Sequence, residues 1–171
     1  MQHSSPTATE LESTRVARYA KLNARTDMFE LQNKVPKTAL VVRKILNKGI
    51  VTDSDPGKRP AIEIEHPFGI TMVEIPPGEH APLHSHTTEE VFFVLEGQVH
   101  FVWGDQGEHE LDLGSYDTVT MPKHIFRGFT NLTDRPARML VMLGGTNAET
   151  MDSVGYTEEV MAVAQAHGRS L

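Results

Sequence analysis

The stretch from Gly78 to Gly97, GEHAPLHSHTTEEVFFVLEG, places two histidines and a glutamate close together between two glycines. Residues two apart on a strand point to the same face, about 6.6 Å apart along the chain, so His84 and His86 are directed at one point. Glu90 follows after two threonines and can return to that point. Two neutral imidazoles and one carboxylate can hold a divalent metal with open coordination positions, a set that suits Fe(II) and also Mn, Ni, Cu or Zn.

This segment resembles the first motif of the cupin family, in which a His-x-His pair and a glutamate stand at fixed offsets between two glycines. The motif positions are filled without a gap by Gly78, His84, His86, Glu90 and Gly97. The alternative interpretation is a set of polar residues on an exposed strand face. Clusters of His and Glu at ligand spacing point instead to a binding site. The resemblance implies that the two histidines and the glutamate are metal ligands.

The second cupin motif is where the chain departs from the family. In the segment GSYDTVTMPKHIFRGFTN, four positions match the family pattern: Gly114, Asp117, Pro122 and Asn131. Arg127 occupies the position of the last metal-binding histidine. A guanidinium stays protonated and offers no lone pair, so it cannot replace that ligand. His124 occupies a position where the family usually has glycine.

Arg127 allows two interpretations. In the first, His84, His86 and Glu90 hold the metal alone, and Arg127 binds an anionic substrate group through its planar fork. A divalent metal and Arg127 with one carboxylate leave about two positive charges, which favours an anion. In the second, Arg127 pairs with Glu90 and the site has lost its metal, because a neighbouring cation competes for the carboxylate. A third alternative is that His124 turns inward as a substitute ligand.

Strand alternation gives candidates for the pocket wall. Phe92 shares the face of Glu90, and Ile125 and Phe129 share the face of Arg127. The expected substrate-binding residues are therefore Arg127, His124, Phe92, Ile125 and Phe129. Arg127 is also the expected catalytic residue.

Composition limits the function classes. A length of 171 residues suits one domain with its own core. Lys and Arg total 16 against 23 Asp and Glu, and the resulting net charge of −7 disfavours a nucleic-acid or anionic-membrane surface as partner. The chain has no cysteine, which excludes disulfides and thiolate zinc sites. No apolar run approaches membrane-spanning length and the N-terminus has no apolar signal region, so we expect a cytoplasmic protein.

The chain divides into three zones. Residues 1–37 are a polar tail and helical extension, with a helix from Thr9 to about Asn23. Residues 38–146 hold many short strands between turn signals, typical of an all-β sandwich or barrel. Residues 147–171 are a helical segment capped by Thr157. The resemblance implies that the strands close into a single cupin double-stranded β-helix, or jelly-roll barrel, with helices at both ends.

The resemblance implies a metal-dependent enzyme acting on an anionic small molecule, of which aromatic acids are one class. The most specific hypothesis is a dioxygenase resembling the quercetinase-like cupins. It would use one divalent transition metal, for which Fe(II) is favoured, to bring substrate and O₂ together. A Lewis-acid lyase or isomerase would use the same residues. The alternatives are a non-catalytic barrel that binds a small acid through Arg127, and a barrel whose metal only stabilises the fold. We expect a homodimer with a small-molecule substrate and no nucleic-acid or membrane partner.

Overall fold

The strands form two antiparallel sheets that face each other. The computed structural model describes residues 5–47, 55–150 and 154–167. Within these residues the strands are β1 (Val41–Leu46), β2 (Phe68–Ile75), β3 (His80–His86), β4 (Glu90–Glu96), β5 (Val99–Trp103), β6 (His109–Leu113), β7 (Thr118–Met121), β8 (Arg127–Asn131), β9 (Ala137–Gly144) and β10 (Val154–Tyr156). One sheet has the order β1-β2-β9-β4-β7 and the other β10-β3-β8-β5-β6. In both sheets, strands that are distant in sequence lie next to each other. This topology confirms the all-β jelly-roll barrel expected from the sequence.

The core lies between the sheets and includes an aromatic cluster. Phe92 comes from β4 in the first sheet, and Phe101 and Phe129 come from β5 and β8 in the second. The ring centroid of Phe92 lies 5.1 Å from that of Phe101 and 5.7 Å from that of Phe129. Such inclined ring pairs stabilise a core beyond their buried area. The cluster therefore joins the two sheets close to the segment that carries the histidines.

Both glycines of the first motif stand in turns that need a left-handed backbone. Gly78 has φ of 73° before β3, and Gly97 has φ of 89° between β4 and β5. A Cβ at Gly97 would lie only 2.9 Å from the Cβ of Ala137. His124 has φ of 64°, which is a glycine-like conformation adopted by a residue with a side chain.

The N-terminal helix is shorter than expected. α1 runs Ala8–Thr14, and its capping box is formed by Thr7 and Glu10. The expected helix from Thr9 to about Asn23 is therefore wrong in its start and its end. None of the residues of α1 is buried, so the helix lacks the packed face from which most helices in proteins gain their stability.

The C-terminal part adds a strand as well as helices. α2 runs Asn147–Thr150 and α3 runs Glu158–Ala166. Thr157 caps α3 by accepting a hydrogen bond from the N–H of Val160, as the sequence predicts. β10 pairs with β3 and extends the second sheet, a strand that sequence patterning missed. The first four residues of the expected polar tail and residues 168–171 lie outside the described residues. None of the helices in the described ranges is long and apolar enough to cross a membrane.

Candidate metal centre and its cavity

The structure brings His84, His86 and Glu90 together. His84 and His86 lie on β3, and Glu90 is the first residue of β4. All three side chains are buried, and one potential ligand atom from each lies within 4.8 Å of the other two. The two imidazole rings are nearly perpendicular, with centroids 5.1 Å apart. This arrangement is compatible with a divalent metal held by two nitrogens and one carboxylate oxygen.

Both histidines have the protonation state that metal binding requires. The Nδ1 of His84 lies 2.7 Å from the carbonyl oxygen of Pro82. A carbonyl only accepts, so Nδ1 donates and Nε2 keeps its lone pair. Burial lowers the pKa of His84 to about 4, with His86 adding to the effect. Burial, with Arg127 and Lys44 as further causes, lowers the pKa of His86 to about 3. Neutral imidazoles bind a metal without first losing a proton.

One ring nitrogen of His86 lacks a hydrogen-bond partner in the part of the chain that the structure describes. The Nδ1 of His86 is buried and has no hydrogen-bond partner among the described residues. A buried polar atom of this kind is rare unless something else satisfies it. The Nε2 of His86 lies 3.7 Å from Oε2 of Glu90. One ring nitrogen of His86, Nδ1, therefore has no partner among the described residues, and the other, Nε2, faces the carboxylate of Glu90.

Arg127 lies behind Glu90 and pairs with it. Its Nε and Nη2 donate to the same oxygen of Glu90, Oε2, at 3.0 and 2.7 Å. Its Nη1 donates to the carbonyl of Ile125 at 2.9 Å, and the side chain has no exposed surface. The other oxygen of Glu90, Oε1, accepts no hydrogen bond from the residues that the structure describes. The ion pair of the second interpretation is therefore present, but it leaves one carboxylate oxygen available.

The cavity beside this centre is small and mainly apolar. Its volume is about 60 Å³, enough for about four to six water molecules. His84, His86 and Glu90 form part of its wall. Its apolar wall includes Phe92 and Phe129, two of the residues that strand alternation places in the pocket.

Three other expected pocket residues do not line this cavity. Arg127 is directed at Glu90 and Ile125, so the expectation that it faces the substrate is corrected. Ile125 lies in the turn before β8, and its side chain is 39% exposed. Its backbone carbonyl accepts the hydrogen bond from Arg127. The side chain of His124 is exposed, and its backbone N–H donates to the carbonyl of His86. His124 therefore holds the turn against β3 and does not act as a substitute ligand in this structure.

Lys44, which sequence reasoning missed, lines the same cavity. It lies on β1 and is only 8% exposed. Burial lowers its pKa to about 8, against an opposing effect of Glu90. Alternation along β1 was the available signal, because Lys44 shares a face with Val42 and Leu46.

Tyr156 on β10 is a second missed residue. It pairs in register with His84, and the two ring centroids are 6.4 Å apart. Burial raises the pKa of Tyr156 to about 12, so the phenol stays protonated and can donate a hydrogen bond into the cavity. The cavity thus has a protonated donor next to the histidine pair.

The fold and this cluster define a jelly-roll barrel with a candidate metal centre. Residues 71–143 match the model of the cupin domain family. The matched segment holds the strands that carry His84, His86 and Glu90, in agreement with the cupin resemblance of the sequence. No curated protein sequence matches the chain.

Solved structures share the barrel. A cupin-2 domain protein from Rhodospirillum rubrum is 19% identical with a TM-score of 0.59, over 90% of this chain and 87% of that one. The polyketide cyclase RemF from Streptomyces resistomycificus is 19% identical with a TM-score of 0.55, over 77% and 79%. A chain from the structures of the DMSP lyases RdDddP and RnDddQII is 18% identical with a TM-score of 0.58, over 80% of this chain and 63% of that one. Likeness at these identities shows the fold alone.

Proposed function

We propose that this protein is a metal-dependent cupin enzyme that acts on a small anionic molecule. The observation that carries the proposal is the burial of His84, His86 and Glu90 together in the wall of a cavity. A divalent metal there would polarise a substrate oxygen and, if it were Fe(II), would also provide a position for O₂. The open coordination positions of such a site favour a dioxygenase-type oxidoreductase.

The residues of the chain would select and hold the substrate. Tyr156 and Lys44 both line the cavity, where Tyr156 would donate a hydrogen bond to the substrate and Lys44 would supply a positive charge. Phe92 and Phe129 exclude water from the apolar wall, which strengthens the polar interactions inside. A cavity of about 60 Å³ favours a short aliphatic acid over an aromatic one.

A Lewis-acid lyase or isomerase is the second candidate. Lys44 favours it, because a buried amine with a pKa near 8 can accept a proton inside the cavity. The third candidate is a non-catalytic barrel that binds a small acid. The buried pair of Arg127 and Glu90 favours that candidate, since Arg127 already neutralises the carboxylate without a metal.

The test compares metal-loaded and metal-free protein. Fe(II)-loaded protein is incubated with short hydroxy- and keto-carboxylates while O₂ consumption and product mass are followed. We expect O₂ uptake that requires both metal and substrate and that falls about a hundredfold in Glu90→Gln. His100→Gln is the matched control, because His100 binds Asp112 and lies outside the cavity. Product without O₂ consumption would favour the lyase or isomerase, and equal turnover by metal-free protein would contradict the proposal.

A homodimer, a cytoplasmic location and the absence of nucleic-acid or membrane partners remain part of the proposal. The net charge of −7 supports the last of these. Light scattering on the purified protein and cell fractionation would test the first two.

A further inference from the structure

Lys44 is a buried charge that the metal centre alone does not require. Its side chain is 8% exposed, and it forms no ion pair with any carboxylate among the described residues. Its Nζ lies 5.6 Å from the ring centroid of Phe29, and Glu90 acts on its charge without forming an ion pair. Lysine is rarely buried without a partner, since a buried charge is costly unless it is paired. The missing partner is therefore expected to be a ligand.

The register of the first sheet places Lys44 three strands away from β4, the strand that carries Glu90. Lys44 pairs with Thr71, Thr71 with Val141, and Val141 with Phe92, across β1, β2, β9 and β4. All four residues line the cavity. These four residues form a row across the sheet. The row begins at β4, which carries Glu90, and ends at β1, an edge strand of the sheet. Lys44 thus lies at the β1 side of the cavity, within electrostatic range of Glu90 and His86 but with no ion pair to Glu90 among the described residues.

Gln32 provides a second donor without a partner. It lies in the short 3₁₀ helix Gln32–Lys34, is 5% exposed and lines the same cavity. Its Nε2 is buried and has no hydrogen-bond partner among the described residues. An amide N–H and an ammonium are both donors, so the group that satisfies them must be an acceptor. A carboxylate has two acceptor oxygens and the charge that Lys44 lacks.

We propose that Lys44 and Gln32 form a carboxylate-binding end of the cavity, so that the ligand is a short aliphatic carboxylate. The additional statement that an oxygen at its other end reaches the metal rests on the proposed function. Arg127 then serves Glu90, and Lys44 has the anion-binding role that the sequence assigns to Arg127. The cavity of about 60 Å³ matches an acid of roughly five non-hydrogen atoms, such as propionate.

The experiment measures binding of propionate and of its uncharged counterpart, propionamide. Titrations followed by protein NMR are made on the wild type, Lys44→Met, Gln32→Leu and Arg43→Met. Arg43→Met is the matched control, because it removes one positive charge from the neighbouring position of β1, where the guanidinium lies over the ring of Tyr19. Lys44→Met removes the charge while preserving a long apolar side chain.

We expect the wild type to bind propionate at least about tenfold more tightly than propionamide. Lys44→Met should weaken propionate binding by about tenfold to a hundredfold and leave propionamide unchanged. Gln32→Leu should weaken propionate binding less, and Arg43→Met should not change it. The proposal is overturned if Lys44→Met binds propionate as tightly as the wild type. It is also overturned if the wild type does not prefer propionate, a result that needs no variant to fold.

Metal content separates this inference from the proposed function. Elemental analysis of the same samples should give the same metal per chain in the wild type and Lys44→Met. Propionate binding that depends on Lys44 in protein that takes up no metal would support the carboxylate site while contradicting the metal-dependent enzyme. Stoichiometric metal with propionate binding that does not depend on Lys44 would contradict the carboxylate site and leave the metal-dependent enzyme supported.

Discussion

Arg127 donates two hydrogen bonds to one oxygen of Glu90, from the position where the cupin motif has a metal-binding histidine. The pair is fully buried on the side of Arg127 and nearly so on the side of Glu90. Where the cupin resemblance implies a fourth ligand, this chain therefore has a buried positive charge. The three candidate ligands remain together, with Oε1 of Glu90 free of hydrogen bonds from the described residues. This relationship accounts for a cupin site that keeps its first motif and departs in its second.

Arg127→Met should destabilise the metal-free protein by about 3–5 kcal/mol, because it leaves the charge of Glu90 buried and unpaired. A divalent ion bound at Glu90 should restore part of this loss. Urea unfolding with a chelator and with added metal measures both effects.

Arg138→Met is the control for that substitution. Arg138 also bridges two carboxylates, those of Glu74 and Glu96, but its side chain is 37% exposed. Exposed pairs contribute little, so its loss should be at most about 1 kcal/mol. Equal losses in the two variants would contradict the structural importance of the buried pair.

Metal-free protein should lose stability as the pH falls from about 6.5 towards 3. His84 and His86 change from a pKa of 6.5 in the unfolded chain to about 4 and about 3 in the fold. Within this window the unfolded chain binds protons that the folded protein does not, so acid favours unfolding; above about 6.5 the stability is fully present. The shift at His84 corresponds to about 3 kcal/mol. Urea unfolding with chelator across this range should show a shallower slope for His84→Gln, and an unchanged slope would contradict the assignment.

Lys44→Met should stabilise the protein at pH 7 while weakening its binding of carboxylates. The folded pKa of about 8, against 10.5 in the unfolded chain, means that the buried charge costs up to about 3 kcal/mol below pH 8. As the pH rises from about 8 to 10.5 the folded protein loses this penalty, so wild type and variant should converge. Thermal unfolding at pH 7 and at pH 10 measures the difference. A less stable variant at pH 7 would show that Lys44 supports the fold.

Gly97→Ala should cost more stability than Gly78→Ala. Both glycines have a left-handed backbone, which costs about 1–2 kcal/mol for a residue with a side chain. At Gly78 nothing lies within 4 Å of an added Cβ, whereas at Gly97 the Cβ of Ala137 would be only 2.9 Å away. Equal urea midpoints for the two variants would show that backbone conformation alone explains the need for glycine at both positions.

The parts of this protein that the sequence predicts are those fixed by local pattern. Turn geometry requires glycine at Gly78 and Gly97, and alternation directs His84 and His86 to one face. The same parity places Phe92 in the cavity wall. These inferences need no knowledge of which strands become neighbours.

The parts that the sequence did not predict depend on tertiary neighbours. Parity gives the face of Arg127 but not the group that its long side chain reaches, which is Glu90. Lys44 becomes a cavity residue only because β1 joins β2 at the edge of the first sheet. Tyr156 lies in a strand of three residues that depends on pairing with β3 and has no pattern of its own. Sequence reasoning therefore missed Lys44, the buried cation that lines the cavity.

The most direct test of the central claim is metal content, measured by elemental mass spectrometry on protein purified without an affinity-metal step or chelator. We expect close to one Fe, Mn, Ni, Cu or Zn per chain in the wild type and in His100→Gln, and no stoichiometric metal in His84→Ala or Glu90→Ala. Full metal occupancy in these two alanine variants would contradict the ligand assignment. Wild-type protein that contains no metal and takes up no added Fe(II) would contradict the metal centre itself.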